Sequence, residues 1–255
     1  MVGGGQLARM TAQAAIGLGV GFRVLADSPD DSAAQVCAGT QVGDYRFVGD
    51  LSAFAAGCDV LTFDHEHVPG EHLAALERDG VAVRPGLDAL LLTQDKLVMR
   101  ERLTGLGVAC PRFAPVTTLA DVQEFAAGSW PVVLKSIRGG YDGKGVWVCE
   151  SAAQAATVLA YPLPAHSPPD RQALADPPPA DPGLALGAAP GPGGRPLFMA
   201  EEYVPFGREL AVLAACSPHR QGAVYPVVQT VQRDGICREV IAPAPGLPPG
   251  RAAQA

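Results

Sequence analysis

A glycine-rich loop directly after an apolar strand limits the fold of this chain more than any other segment. Residues 134–145 read LKSIRGGYDGKG, so that Lys135 ends a predicted strand and four glycines and two cations follow. Glycines let backbone N–H groups approach an anion, and the cations offset its charge. The loop is not a Walker A motif, because Lys144 is followed by Gly145 and not by Ser or Thr. The pattern predicts a phosphate cradle, and its alternative is a tight hairpin with solvated cations.

A second segment lies further along the chain. Residues 198–209 read FMAEEYVPFGRE, an apolar strand that leads into an acidic turn. The two segments together resemble the ATP-grasp superfamily, in which the strand lysine and the glycine-rich loop hold the phosphates of ATP. The strand and turn of that superfamily contact adenine and carry a glutamate for the ribose. The resemblance implies these ATP-binding residues: Lys135, Gly139, Gly140, Gly143, Gly145, Glu201, Glu202, Tyr203, Val204 and Glu209.

Two amino-terminal segments narrow the resemblance. Residues 1–10 read MVGGGQLARM, and residues 58–69 read CDVLTFDHEHVP. In this order and spacing, the segments resemble the 5-(carboxyamino)imidazole ribonucleotide synthase family of purine biosynthesis. That resemblance implies a carbon–nitrogen ligase with ATP and Mg2+ as cofactors and a homodimer at full length. Its substrates would be 5-aminoimidazole ribonucleotide, bicarbonate and ATP. Its products would be 5-(carboxyamino)imidazole ribonucleotide, ADP and phosphate.

The same resemblance implies which residues meet the substrates. Tyr141, Asp142 and Lys144 are expected at the junction of phosphate and aminoimidazole, as the catalytic residues. Gln6 and Glu66 are expected to bind the ribonucleotide from the first domain, together with Tyr141 and Lys144. No metal ligand is assigned, because the carboxylates that hold magnesium in the family lie in a later segment without a counterpart here.

Each of these assignments has an ordinary structural alternative. Lys135 could be a surface cation, and Tyr141 could pack over its hairpin. Glu66 could lie in a solvated loop, and Glu209 could pair with Arg208 or with Arg238. Only one of the adjacent glutamates at positions 201 and 202 is expected to contact the nucleotide.

The alternation of strands and helices in the first third predicts an α/β fold with a parallel sheet. With the resemblance, we expect a Rossmann-like pre-ATP-grasp domain at 1–92, an ATP-grasp small subdomain at 93–204, and an incomplete ATP-grasp large domain at 205–255. Predicted helices are 7–18, 71–78, 90–106 and 121–127. Predicted strands are 22–26, 60–63, 132–135, 145–149, 210–214, 223–228 and 236–241, with a turn at 233–235.

The opening segment also matches a dinucleotide-binding fingerprint. Gly3, Gly5 and Ala8 fit GxGxx[GA], and Asp27 lies near the expected acidic position. An NAD enzyme would leave the glycine-rich loop and the acidic turn unexplained, so we expect this domain to help hold the sugar phosphate. Only Met1 and Val2 precede the glycines. Because a strand averages about five or six residues, we expect the natural chain to begin earlier, and the alternative is a genuinely short first strand.

Residues 161–196 differ in composition from the rest. Eleven of the chain's 24 prolines fall in this segment. Proline interrupts helices and central strands, so we expect a tolerated surface loop, inserted where the family has a short helix and turn. A role in docking is the alternative.

Composition excludes several classes of protein. A net charge of −7 argues against nonspecific nucleic-acid binding. The six cysteines form no CxxC pair, which argues against a zinc site or a disulfide framework. No signal peptide and no apolar stretch long enough for a membrane span is present, so a cytoplasmic location is expected.

Three functions stay open from the sequence. The first is the carboxylating ligase, which we expect to be truncated in this chain and not necessarily active alone. The second is another ATP-grasp ligase, such as a formate-dependent transformylase. The third is an inactive ATP-binding fragment or partner subunit.

Overall fold

The computed structural model describes residues 1–140, 144–160, 196–219 and 221–253. Contacts divide the chain into two compact units, Met1–Arg102 and Leu103–Ala255. The domain bounds expected from the sequence stay predictions. Of the proline-rich segment, only Pro196 lies within the described residues.

Short parallel pairings organise the first unit. Strand β1 pairs with β2 in parallel, and Val2 forms parallel bridges with Leu25 and Phe63. A further parallel bridge joins Leu61 to Val83, so the predicted parallel sheet is confirmed. In chain order the elements are α1 (Gln6–Gly17), β1 (Val24–Ala26), β2 (Thr40–Val42), α2 (Val48–Ala55), α3 (Gly70–Arg78), α4 (Leu87–Gln94) and α5 (Lys96–Gly105), the last of which runs into the second unit.

Small side chains let α1 approach this sheet. The helix buries Ala8, Ala12 and Ala15, and Ala8 packs with Val24 of β1. Helices α2 and α3 contribute to a second apolar cluster, which includes Leu25 of β1. Its largest fully buried members are Leu25, Leu51, Phe54, Leu61, Leu73 and Leu76.

Two predictions for the first unit were wrong in detail. Residues 60–63 form only isolated bridges and not a strand. The single helix predicted over 90–106 is two helices, because Asp95 has an extended backbone with φ −129° and ψ 104°. Its Oδ1 accepts the Val98 N–H at 3.1 Å and so caps α5, while the apolar spacing continues through the break and conceals it.

The second unit contains a four-stranded antiparallel sheet of order β3-β6-β4-β5. Helices α6 and α7 supply its main apolar cluster, together with Leu134 and Phe198 from the strands. A capping box between Thr118 and Asp121 begins α6, and the Ser151 side chain begins α7. The elements are β3 (Phe113–Val116), α6 (Leu119–Ala126), β4 (Val132–Ser136), β5 (Val146–Cys149), α7 (Ala152–Leu159) and β6 (Phe198–Glu202).

The following strands form two small antiparallel sheets, β11-β10-β7 and β8-β9. Their bounds are β7 (Glu209–Ala211), β8 (Ala214–Cys216), β9 (Gly222–Val224), β10 (Val228–Arg233) and β11 (Ile236–Ile241), and a short helix α8 (Pro249–Ala252) follows. The strand over 236–241 and its turn are confirmed, since Asp234 and Gly235 both have positive φ. The strands predicted over 210–214 and 223–228 were wrong in their bounds. Pro226 lies in the gap between β9 and β10, where it supplies no N–H for pairing.

Candidate functional site

Strand alternation divides the side chains of β4 and β6 between two faces of the sheet. Lys135 lies opposite Met199 in the register, and Val133 lies opposite Glu201. Successive side chains of a strand point to opposite faces, so Lys135 and Glu201 share one face. The other face carries Leu134, which packs in the core with α6 and α7.

An ion pair joins the lysine to the first glutamate. The Lys135 ammonium donates a hydrogen bond to Oε2 of Glu201. The Lys135 side chain is 18% exposed and the Glu201 side chain 5%. Because the cation is mostly buried and paired with a buried carboxylate, the interpretation of Lys135 as a surface cation is wrong.

Glu202 has different surroundings from Glu201. Its backbone N–H donates to the Arg112 carbonyl at 2.8 Å. Glu202 lines a cleft with Arg112, Phe125 and Tyr203. The two adjacent glutamates therefore occupy opposite sides of β6, and only Glu201 lies beside Lys135.

The glycine-rich loop closes on a buried hydroxyl at its base. Ser136 is 2% exposed, and its N–H donates to the Gly145 carbonyl at 2.9 Å. Its Oγ lies 3.4 Å from the same carbonyl and 3.5 Å from that of Gly139. The sequence reasoning did not single out Ser136, although a hydroxyl directly after the strand lysine was a signal for it.

Close approach at the loop base requires glycine at two positions. Gly140 and Gly145 have φ of +81° and +75°. A Cβ on Gly140 would lie 2.4 Å from the Lys144 carbonyl oxygen, and a Cβ on Gly145 would lie 2.4 Å from Ser136 Oγ. Gly139 also has positive φ, but no atom lies within 4 Å of its Cβ position. The loop is thus a tight cradle in its described part.

Several predicted site residues lie outside the described residues. These are Tyr141, Asp142 and Gly143. Lys144 is described, partly buried and in a turn at the end of the loop. The roles of all four stay predictions.

The segment after β6 is exposed and lies outside any strand. Tyr203 and Val204 are each 43% exposed and lie between strands. The Val204 carbonyl accepts the Phe206 N–H at 2.9 Å. Within the described residues, the Val204 N–H forms no hydrogen bond. An exposed backbone N–H of this kind can donate a hydrogen bond to the ring nitrogen of a planar base.

Glu209 begins β7 and lies opposite Thr230 of β10. Its neighbour Arg208 donates from Nη1 to the Pro245 carbonyl at 2.8 Å. Glu209 forms no ion pair with any residue of the described ranges. The alternative in which Glu209 pairs with Arg208 or Arg238 finds no support in this geometry.

In the first unit, a carboxylate occupies the space over the opening glycines. Oδ2 of Asp64 accepts the Gly5 N–H at 2.8 Å, at the amino end of α1. A Cβ on Gly3 would lie only 1.7 Å from Asp64 Oδ1. In a dinucleotide site this position at the helix start holds the pyrophosphate. Here the protein's own carboxylate lies there, which argues against NAD.

The predicted ribonucleotide residues lie close in sequence to the two partners of this hydrogen bond, Gln6 next to Gly5 and Glu66 near Asp64. Gln6 begins α1, and its Oε1 accepts the Ser32 hydroxyl at 2.9 Å. Glu66 lies two residues after Asp64, and its backbone carbonyl accepts from Gln94 Nε2 at 2.6 Å. Glu66 is half-buried, and its carboxylate forms no hydrogen bond or ion pair with the described part of the chain.

Aromatic rings surround the residue between Asp64 and Glu66. The His65 ring lies 4.6 Å from that of Tyr45 and 5.4 Å from that of His67, centroid to centroid. Burial lowers the pKa of His65 below its usual value, against the raising effect of the Asp64 carboxylate. Burial likewise raises the pKa of the Tyr45 phenol. His65 is therefore a neutral packing ring at physiological pH, and its 3.9 Å approach to Asp64 is not an ion pair.

The described ranges contain neither a metal-binding cluster nor a membrane-spanning helix. No group of three or more His, Cys, Asp or Glu side chains there is arranged to hold a metal ion. Among the same residues, no helix has both the length and the apolar character that crossing a bilayer requires.

Two family models match the chain. The ribonucleotide synthetase preATP-grasp domain matches residues 1–94, and the ATP-grasp domain matches residues 101–176 and 179–255. Among similar proteins, the N5-carboxyaminoimidazole ribonucleotide synthase of Mycobacterium tuberculosis is 49% identical over 97% of this chain and 51% of its own. The enzyme of the same name from Corynebacterium ammoniagenes is 44% identical over 98% of this chain and 54% of its own. This chain spans about half the length of both relatives.

Solved structures agree with these matches. N5-carboxyaminoimidazole ribonucleotide synthetase from Thermus thermophilus superposes with a TM-score of 0.78 at 32% identity, over 100% of this chain and 61% of that one. The Aspergillus clavatus N5-carboxyaminoimidazole synthase, in complex with ADP and 5-aminoimidazole ribonucleotide, has a TM-score of 0.76 at 25% identity, over 100% and 59%. Since the ATP-grasp model alone matches more than half of the residues, this chain belongs to the ATP-grasp family.

Proposed function

We propose that this protein binds ATP on the Lys135 face of the β3-β6-β4-β5 sheet. The observation that carries the proposal is the shared placement of Lys135, the glycine cradle and the β6 strand end. Lys135 would contact the phosphates, and the backbone at Gly139, Gly140 and Gly145 would approach them closely. Glycine is required at two of these positions, because a Cβ on Gly140 or Gly145 would collide with the Lys144 carbonyl oxygen or with Ser136 Oγ, so the backbone at the loop base can close tightly.

The segment after β6 would recognise the nucleoside. The Val204 N–H, which has no hydrogen-bond partner among the described residues, suits an adenine ring nitrogen, and the exposed Tyr203 lies beside it. Glu209, which has no ion-pair partner in the described ranges, would accept hydrogen bonds from the ribose hydroxyls. Of the two adjacent glutamates, Glu201 lies on the Lys135 face of the sheet, where ATP would bind. Glu202 is the less suitable contact because it lines a cleft on the other side of β6.

We further propose that the acceptor is 5-aminoimidazole ribonucleotide and that bicarbonate supplies the carboxyl group. The support is the 49% identity to an enzyme named N5-carboxyaminoimidazole ribonucleotide synthase, whose name gives the product of that carboxylation. Gln6 and Glu66 would bind the ribonucleotide, and Tyr141, Asp142 and Lys144 would lie where phosphate and aminoimidazole meet. We expect a cytoplasmic protein that forms a homodimer at full length.

The proposed reaction has two steps. ATP phosphorylates a bicarbonate oxygen, and ADP leaves. The amine of the ribonucleotide then forms a nitrogen–carbon bond at the carboxyl carbon, phosphate leaves with the carbon–oxygen bonding pair, and the amine loses a proton. Mg2+ bound to ATP would offset the charge on its phosphates. The described residues offer no protein cluster for this ion, so none is assigned a role toward it.

The test measures ADP release with ATP, Mg2+ and bicarbonate, in the presence and absence of 5-aminoimidazole ribonucleotide. Release that depends on the ribonucleotide and on bicarbonate supports the proposal. Release that formate supports instead of bicarbonate would overturn the assigned carboxyl donor. A folded chain that binds neither ADP nor the ribonucleotide in calorimetry would overturn the proposed sites themselves.

A further inference from the structure

The segment that carries Glu66 is held to the start of α1 at one end. The Asp64 side chain is 6% exposed, and its Oδ2 accepts the Gly5 N–H at 2.8 Å. A carboxylate is favourable at this position, since the first N–H groups of a helix carry partial positive charge. Gly5 directly precedes Gln6. The Gly5–Asp64 hydrogen bond therefore links the backbone next to Gln6 to the segment that carries Glu66.

At its other end, the segment is held to the last residue of α4. Gln94 Nε2 lies 2.6 Å from the Glu66 carbonyl oxygen and 3.2 Å from the Val68 carbonyl oxygen. A side-chain amide nitrogen has two N–H donors, so one group can satisfy both carbonyls. Val68 itself is fully buried. The backbone at Glu66 is thus fixed directly by Gln94.

Ring packing restrains the residues on either side of Glu66. His65 packs between Tyr45 and His67, and its Nδ1 accepts the His67 N–H at 3.2 Å. These contacts restrain the turn, yet the Glu66 carboxylate itself forms no hydrogen bond or ion pair within the described ranges. A carboxylate without a partner on a backbone held at both ends is preorganised to bind a ligand, because little of its freedom remains to be lost.

We propose that Asp64 and Gln94 are positioning residues that hold Gln6 and Glu66 in fixed places for one ligand. The inference rests on the proposed function, in which that ligand is 5-aminoimidazole ribonucleotide. The Glu66 carboxylate would accept hydrogen bonds from its hydroxyl or amine groups. Asp64 and Gln94 act through the two binding residues and do not touch the reacting atoms.

The test uses Asp64→Asn and Gln94→Glu, with Asp121→Asn as the matched control. Gln94→Glu keeps the shape but replaces two donors with a charged acceptor that repels both carbonyls. Asp121 also accepts backbone N–H groups, from Thr117 and Thr118 at 2.8 Å, but in the second unit. Calorimetry measures the Kd of the ribonucleotide and of ADP, and hydrogen exchange measures protection of the Gly5 and His67 amides.

We expect Gln94→Glu to weaken ribonucleotide binding by about tenfold or more, Asp64→Asn to weaken it less, and both to leave the Kd of ADP unchanged. The control lowers the unfolding temperature and leaves both affinities unchanged. If exchange rises at the two amides while the Kd of the ribonucleotide stays constant, the positioning role is wrong and the proposed function survives. If the unaltered chain binds ADP but not the ribonucleotide, the proposed acceptor site is wrong and this inference fails with it.

Discussion

The Lys135 ammonium is hydrogen-bonded to the buried Glu201 carboxylate across two adjacent strands. Lys135 belongs to β4, the strand before the glycine-rich loop, and Glu201 belongs to β6, the strand before Tyr203 and Val204. Any anion that binds Lys135 therefore does so beside Glu201, which limits the reach of the lysine side chain. The ion pair therefore links the strand before the glycine-rich loop to the strand before the segment at Tyr203 and Val204.

Substitutions of this pair should change the free energy of unfolding and the affinity for ADP by different amounts. Lys135→Met removes the ammonium that is hydrogen-bonded to the buried Glu201 carboxylate, and we expect a loss of roughly 3 kcal/mol in the free energy of unfolding. The double variant Lys135→Met/Glu201→Leu removes the buried carboxylate as well, so most of that loss should be recovered. Both variants should still bind ADP at least about tenfold more weakly. Denaturant unfolding and calorimetry measure the two effects, and a double variant with restored ADP binding would contradict the role of Lys135.

The two neighbouring glycines of the cradle provide a matched comparison. Gly139→Ala and Gly140→Ala both place a side chain at positive φ, with a cost of about 1 kcal/mol. Only Gly140→Ala also meets a backbone atom, the Lys144 carbonyl oxygen at 2.4 Å. We expect it to cost roughly 1–3 kcal/mol more and to weaken ADP binding. Equal unfolding temperatures for the two variants would show that the loop base is looser than described.

The buried hydroxyl at the loop base should support nucleotide binding. Ser136→Ala removes a donor shared between the Gly139 and Gly145 carbonyls, and we expect a loss of about 1 kcal/mol in unfolding free energy together with weaker ADP binding. Ser136→Thr retains the hydroxyl and should recover part of the affinity. Ser129→Ala, at an exposed position, is the control. Unchanged ADP affinity in Ser136→Ala would limit this residue to a purely structural role.

His65 should make the first unit sensitive to acid. Its pKa is lowered in the folded state by burial, so the unfolded chain binds the proton more readily. The contribution to stability is intact above pH 6.5, the ordinary pKa of histidine, and is lost as the pH falls through the lowered folded pKa. His65→Phe should reduce the pH dependence of the free energy of unfolding below pH 6.5, measured by chemical unfolding at several pH values. The exposed His219 provides the control substitution, and an identical slope in His65→Phe would exclude this source of acid sensitivity.

Local patterns predicted the strands around the glycine-rich loop well. The alternation of Val132, Leu134 and Ser136 with Val133 and Lys135 appears directly as buried and partly buried positions along β4. The helix break at Asp95 was not predicted, because the apolar spacing is the same on both sides of it. The bounds of the strands after Glu209 were also missed, since pairing partners, and not local composition, decide where such short strands begin and end.

The sequence by itself determined the α/β alternation, the glycine-rich loop after a strand lysine, and the family resemblance, because these depend on residue type and spacing along the chain. Only the tertiary structure decided which of Glu201 and Glu202 faces Lys135, and that Asp64 occupies the space over Gly3 and Gly5. Both facts depend on strand register and on contacts between residues far apart in sequence. A register shift of one residue would exchange the two glutamates, and no local pattern records that choice.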